Sequence, residues 1–143
     1  IQGNTIAHGM AGPGHGIRVE RGTGNTLRRN AIYANAGGGI VLSEGGNAIL
    51  AAPAISSASR SGASGTACPG CTVELFSDAS DEGRVYEGST VADAAGHFTF
   101  AAPGRLTGPY ITATATDAEG NTSEFSAPVG LNRAWLPAIL KMR

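Results

Sequence analysis

A repeat in the first fifty residues limits this chain more than any other feature. Residues 24–35 read Gly24-Asn25-Thr26-Leu27-Arg28-Arg29-Asn30-Ala31-Ile32-Tyr33-Ala34-Asn35, followed by Gly38-Gly39-Ile40-Val41-Leu42. The start of the chain runs through the same order. Ile1-Gln2-Gly3-Asn4-Thr5-Ile6 aligns with the stretch from Leu27 to Ile32, and His15-Gly16-Ile17-Arg18-Val19 with that from Gly38 to Leu42. A third start stands at Gly46-Asn47-Ala48-Ile49. Asn25 and Asn47 lie 22 residues apart, and Ile17 and Ile40 lie 23 apart. A steady period of about 20–25 residues is the mark of a solenoid, in which each repeat stacks on its neighbours.

Within the period, apolar residues alternate in short runs separated by Gly and Asn, and helical spacing is absent. About three short strands per coil are expected, with Ile17, Val19, Leu27, Ile32, Ile40 and Leu42 pointing inward. Gly and Asn suit the corners because they tolerate left-handed backbone. Stacked coils would set Asn25 over Asn47 and Asn4 over Asn30 as amide ladders. Residues 9–14 lengthen the first corner into a loop. These GNxI/L, NxI and GI-x-V/L elements resemble the right-handed parallel β-helix repeats of bacterial surface proteins and of pectate-lyase-like carbohydrate-active enzymes. The resemblance covers roughly residues 1–50 and implies a fold, not an activity. Two and a half coils fall short of the roughly three a solenoid needs, so further coils, or another chain, are expected to cover the open end. The segment is therefore read as the terminal, truncated part of a longer β-helix.

After Ala52-Pro53 the period stops. Residues 56–65, rich in Ser, Gly and Ala, read as a linker, with a first strand at 54–59 as the alternative. Strands are expected at 72–77, 84–91, 97–101, 110–116 and 123–127, each alternating and bounded by turn residues. Asp93-Ala94-Ala95-Gly96 and Asp117-Ala118-Glu119-Gly120-Asn121 have hairpin-turn composition. Six or seven short strands in about 80 residues point to a two-sheet sandwich, with Val73, Leu75, Val91, Phe98, Phe100, Ile111 and Phe125 as its core. The runs 71–77, 93–100 and 110–126 resemble the immunoglobulin-like modules of large exported bacterial proteins. The chain as a whole is thus read as all-β: β-helix coils over 1–52, an immunoglobulin-like β-sandwich over 53–130, and an apolar, basic-ended tail over 131–143. That tail contains Trp135-Leu136-Pro137 and resembles the short aromatic-Leu-Pro tails of some exported proteins. It is read either as a last docking strand or as an assembly or sorting signal.

The chemistry visible in the sequence is sparse. Ten basic and eleven acidic residues leave a formal charge of −1, which offers no field for nucleic acid. No apolar stretch approaches the roughly 18 residues of a membrane span. Cys68 and Cys71, the only cysteines, lack the second ligand pair of a zinc site and the helix start of a thioredoxin-like motif. A structural disulfide across a turn, two free thiols, and redox or metal chemistry are the three readings, the first favoured by the strand that follows. A disulfide would imply an oxidising compartment.

A β-helix lyase or hydrolase needs clustered carboxylates, yet residues 1–77 contain no Asp and only Glu20, Glu44 and Glu74. No catalytic residue is expected here. His8, Met10 and His15 flank a glycine-rich loop without metal-site spacing. Arg18, Arg21, Arg28 and Arg29 read as a solvated face or as contacts to an anionic glycan. The acidic turns at 77–83 and 117–121 offer several oxygens for Ca²⁺, but without EF-hand spacing. No cofactor is expected beyond that weak Ca²⁺ candidate.

The resemblances imply a non-catalytic structural or adhesive segment of a secreted bacterial surface protein, located outside the cytoplasm and contacting polysaccharide. Two alternatives stand beside it: the accessory C-terminal region of a carbohydrate-active enzyme (a polysaccharide lyase or hydrolase) whose catalytic coils lie elsewhere, or a subunit of an extracellular assembly.

Overall fold

The structure, a computed structural model, describes residues 1–10 and 12–131. Its described residues are all-β, apart from one short 3-10 turn at Gly46–Ile49. In the first half, β1 (Thr5–Ala7) pairs in parallel with β3 (Ala31–Tyr33), and β2 (Ile17–Glu20) with β4 (Ile40–Ser43). The registers set Ile6 beside Ile32 and Ile17 beside Ile40. These are the equivalences the repeat predicts. The third strand expected in each coil is reduced to a single parallel bridge, Gln2 to Arg28.

Alternation decides what these strands bury. Ile17 and Val19 point inward while Arg18 and Glu20 face solvent, as a period of two requires. Ile17, Val19, Leu27, Ile32 and Ile40 form one buried cluster, with Ile6, Leu42 and Phe125 packed against it. At about 1.5–3 kcal/mol per fully buried aliphatic side chain, five such residues make a small core. The asparagine ladders are present. Asn47 Oδ1 accepts from Asn25 N at 3.0 Å and from Asn25 Nδ2 at 3.1 Å, and Asn30 Oδ1 accepts from Asn4 N at 3.0 Å.

The corners repeat in conformation more strictly than in residue type. Gly3 and Arg29, His8 and Ala34, Arg21 and Glu44 are equivalent pairs, and all six residues have positive φ. Gly and Asn suit such corners, but other residue types hold them too. Stacking forces each coil to turn where its neighbour turns, even at the steric cost a non-glycine residue meets there. The third start at Gly46–Ile49 does not continue as a coil: Asn47, Ala48 and Ile49 all have positive φ, and Ile49 is exposed.

The second half holds two antiparallel sheets that face one another. One has the order β11-β10-β7-β8 and the other β5-β6-β9. Their strands are β5 (Ala54–Ser59), β6 (Gly62–Thr66), β7 (Thr72–Asp78), β8 (Val85–Val91), β9 (His97–Ala101), β10 (Tyr110–Thr116) and β11 (Val129–Gly130). Between them lie Ala58, Ala63, Val73, Leu75, Ala92, Phe98, Phe100, Leu106, Ile111, Ala113 and Leu131.

Several expectations are corrected here. The 56–65 stretch is not a linker; it forms most of a β5–β6 hairpin whose small side chains fit tight sheet packing. Val91 is 61% exposed, because it ends the edge strand β8 on the outward side. Phe125 packs on the first-half cluster instead of the sandwich core. Residues 123–127 are not a regular strand. There Ser123 Oγ and Ser126 Oγ accept from Ala115 N and Ala113 N, both at 2.9 Å, in place of carbonyls. Asp93 to Gly96 makes a tight turn, but it joins strands of different sheets, so the hairpin expected there is a crossing.

Candidate functional site

The site with the richest polar chemistry is the seam between the two halves. In the ladders, Ile17 N donates to Gly39 O and Ala31 N donates to Asn4 O. Alternate residues of the second coil therefore aim their N–H groups the other way, along its far edge. The second half meets that edge donor by donor. Leu27 N donates to Thr122 Oγ1 at 2.9 Å, Arg29 N to Glu74 Oε1 at 2.8 Å, and Asn35 N to Glu82 Oε1 at 2.8 Å. Leu42 N donates to Glu124 Oε2 at 2.8 Å, and Gly24 N to Asn121 Oδ1 at 2.7 Å. Ile32 and Gly83 exchange both backbone bonds in an antiparallel bridge.

Side chains and apolar contacts reinforce the seam. Arg28 Nε bonds Glu74 Oε2 at 3.1 Å, and Asn35 Nδ2 bonds Glu82 Oε2 at 2.9 Å. Asn47 Nδ2 donates to Thr122 O at 2.9 Å, tying the asparagine ladder to the sandwich. Phe125 stacks edge-on against Phe76, with ring centroids 5.4 Å apart, and closes the end of the apolar cluster. Glycine is required where the ring lies: a Cβ on Gly83 would sit 2.6 Å from Phe125 Cε1, and one on Gly39 would sit 2.7 Å from Phe125 Cε2.

Strand alternation explains how one sheet serves two cores. In β7, Val73 and Leu75 face the sandwich, while Glu74 and Phe76 face the coils. In β10, Ile111 and Ala113 face the sandwich, and Thr112 on the opposite face donates to Glu82 O at 2.6 Å. Thr112, Thr114 and Thr116 are all buried. Glu74, Glu124 and Thr122 do not stand out in the sequence as site residues, and Glu82 stands out only as part of an acidic turn. For Glu74 the only local signal is a polar residue every second position on a strand, which looks the same on any solvated sheet.

Of the residues singled out from the sequence, Arg28, Arg29, Asn47 and two residues of the acidic turns join the seam, and the others fall elsewhere. Cys68 and Cys71 form a disulfide, and Cys71 N donates to Cys68 O at 3.0 Å, closing the turn. His8 packs edge-on against Tyr33, and His15 Nδ1 bonds Gly37 O at 2.7 Å; Met10 is exposed. Arg18 pairs with Glu20, Arg21 with Glu44, and Arg28 with Glu74, while Arg29 lies over the Tyr86 ring. In the acidic turns the aspartates bond their own loops, while Glu82 and Asn121 bond across the seam. Asp78 accepts from Ser80, Glu82 and Arg84 N, and Asp117 from Glu119 and Asn121 N. Among the described residues no three His, Cys, Asp or Glu side chains converge as a metal site. Trp135, Leu136 and Pro137 lie outside the described residues.

Two aspartates have shifted acidities. The bond from His97 N holds the Asp93 carboxyl below its ordinary value against desolvation, with the bond from Ala95 N adding to it. Burial pushes the Asp117 carboxyl up, but the Asn121 side-chain amide and the N–H groups of Asn121, Glu119 and Gly120 together hold it down. Both are turn-stabilising groups.

A cleft beside the seam is lined by Met10, Tyr33, Asp81 and Arg84. Arg84 covers the Tyr33 ring at 4.5 Å, so the ring does not present a free platform. Among the described residues no helix is long and apolar enough to cross a membrane. Comparison with known proteins finds no family model that matches the chain and no matching curated protein.

Proposed function

We propose that this chain is a structural segment of an exported protein: the terminal coils of a right-handed parallel β-helix, capped by an immunoglobulin-like sandwich. The observation that carries the reading is the row of seam bonds. An unpaired parallel edge is a template for aggregation, and here its N–H groups at Gly24, Leu27, Arg29, Ile32, Asn35 and Leu42 meet acceptors from the second half. Parallel registers that follow the sequence repeat support the β-helix part. Two facing antiparallel sheets support the sandwich part. The Cys68–Cys71 bond supports an oxidising, extracytoplasmic setting. The polar groups of the seam are consumed by structural bonds, which supports a non-catalytic role.

Hydrogen exchange on the full chain tests this reading. Replacing Glu74, Glu82 and Glu124 together by Ala should lower protection of the Arg29, Asn35 and Leu42 amides about tenfold or more relative to amides inside the sandwich, since each loses a charge-assisted acceptor. Unchanged protection at those three amides would show that the sandwich does not act as a cap.

A further inference from the structure

Two arginines at the rim of the seam carry guanidinium groups that no carboxylate meets. Arg18, Arg21 and Arg28 each pair with a glutamate, whereas the heads of Arg29 and Arg84 have no hydrogen-bond or ion-pair partner among the described residues. Both residues are exposed, and each rests on a tyrosine ring, Arg29 over Tyr86 at 5.7 Å and Arg84 over Tyr33 at 4.5 Å. The antiparallel bridge of Ile32 with Gly83 aligns Ala31 with Arg84 and Arg29 with Tyr86, which puts these side chains on one face. Arg29 and Arg84 are then diagonal neighbours, with Cβ atoms about 7–8 Å apart. Arg29 also holds φ of 52° at the corner that Gly3 occupies in the first repeat, a conformation costly for any residue with a Cβ. Its N–H is spent on Glu74, so the guanidinium is the part left to act.

We propose that this face binds an acidic glycan, with Arg29 and Arg84 holding its carboxylate or sulfate groups and the adjoining cleft holding its hydroxyls. A guanidinium presents its donors as a rigid fork that grips an oxyanion at two points. Resting on a ring fixes the plane of that fork and leaves its edge free, so less freedom is lost on binding. Two forks a diagonal apart suit successive anionic groups of one extended chain. The cleft beside Arg84 has a volume of about 540 Å³, within the range of small-molecule sites. Its buried carboxylates are occupied, Glu82 by Asn35 and Asp78 by backbone N–H groups. Asp81 is exposed and accepts only from Ser80 Oγ, at 3.3 Å. A free carboxylate beside two free guanidinium groups repels a plain polyanion but accepts from hydroxyls, and an acidic sugar brings both groups. An acidic peptide brings carboxylates without the hydroxyls, and a chain of formal charge −1 offers no wider field for nucleic acid. Any strand added on the outer edge of β1 or β2 leaves this face open, because it lies where β3 meets residues 82–86. The proposal does not depend on the capping role.

Calorimetric titration of the full chain at low ionic strength, where screening is weakest, tests this with three polymers. Alginate carries carboxylates, dextran sulfate carries sulfates, and dextran is neutral. Binding to at least one acidic polymer and none to dextran is expected, and the two acidic arms tell which anion is preferred. Arg29→Gly and Arg84→Ala should each weaken binding about tenfold, the loss of one charge-assisted contact. Glycine suits the left-handed corner at position 29, and the Arg84 head bonds nothing, so both variants should stay folded, as thermal melting will confirm. Arg21→Ala removes an equal charge from a different corner, where it pairs with Glu44, and should leave affinity unchanged. Asp81→Ala should weaken binding about threefold by removing a hydroxyl acceptor. Failure to bind either acidic polymer overturns the proposal, and so does an equal loss in Arg21→Ala. Tighter binding by Asp81→Ala, or equal affinity for polyglutamate or single-stranded DNA, would reveal a general polyanion surface and overturn it as well.

Discussion

The Glu74 carboxylate, only 1% exposed, receives Arg28 Nε on one oxygen at 3.1 Å and Arg29 N on the other at 2.8 Å. A charge from the second half is thus buried against the first, and both of its oxygens are used. Removing one side of such an arrangement costs more than the pair itself contributes, because the partners left behind are desolvated.

Glu74→Ala should therefore lower stability by about 2–3 kcal/mol in urea unfolding. The value sits near the low end for buried pairs because Arg28 retains access to water. Glu74→Gln keeps an acceptor for Arg29 N and should cost about half as much. Equal losses in the two variants would show that the charge, not the backbone bond, dominates.

Asn47 is fully buried and makes bonds to Asn25 and Thr122 while holding φ of 49°. Asn47→Ala should cost about 2–4 kcal/mol: it leaves buried groups of Asn25 and Thr122 unpaired and puts a less tolerant residue in left-handed backbone. Asn47→Asp keeps the acceptor and loses the donor, so it should also destabilise at neutral pH. Thermal melts of both variants against the parent check this.

Ala34 is an exposed corner residue with φ of 56°. Replacing it with glycine relieves about 1–2 kcal/mol of steric conflict and costs up to about 1 kcal/mol in unfolded-state entropy. Ala34→Gly should thus be neutral or stabilising by up to about 1 kcal/mol. A clear loss of stability in chemical denaturation would contradict the corner assignment.

Acid should expose the two turn aspartates. Asp93 and Asp117 both have folded acidities below the ordinary carboxylate value of 3.8. A depressed folded pKa gives stability that is present above the unfolded value and lost as pH falls through the folded one. The contribution of these residues should therefore hold steady from pH 7 to about 5 and disappear below about pH 4. Urea midpoints measured against pH should fall less steeply at the acid end in Asp93→Asn and Asp117→Asn than in the parent.

The Cys68–Cys71 bond closes a loop of four residues, for which loop entropy corresponds to about 2 kcal/mol. Reduction, or Cys68→Ser/Cys71→Ser, should lower the melting temperature without abolishing the folded state. Complete unfolding on reduction would show that the turn holds more of the fold than its size implies.

Local chemistry alone made part of this protein legible. Period and alternation placed the inward faces of the coils, the pairings of Ile17 with Ile40 and Asn25 with Asn47, and four strands of the second half within a residue or so, because each follows from side-chain spacing along a single segment. The turns at Asp93 and Asp117 were likewise legible, since an Asp side chain bonding its own backbone is a local event. Where those turns lead was not: whether Asp93 closes a hairpin or crosses between sheets depends on which strand wins as partner for β8. The same limit applies to β7 and β10. Their alternation correctly aims Val73, Leu75, Ile111 and Ala113 at one core, but the opposite face, with Glu74, Phe76 and Thr112, looks like ordinary solvated sheet. Only packing of the first half on that face buries those polar groups, and draws Phe125 away from the second-half core to close the neighbouring one. Spacing along the chain decides which way a side chain points; what it meets there depends on segments 45 to 97 residues distant, and that is a property of the tertiary structure.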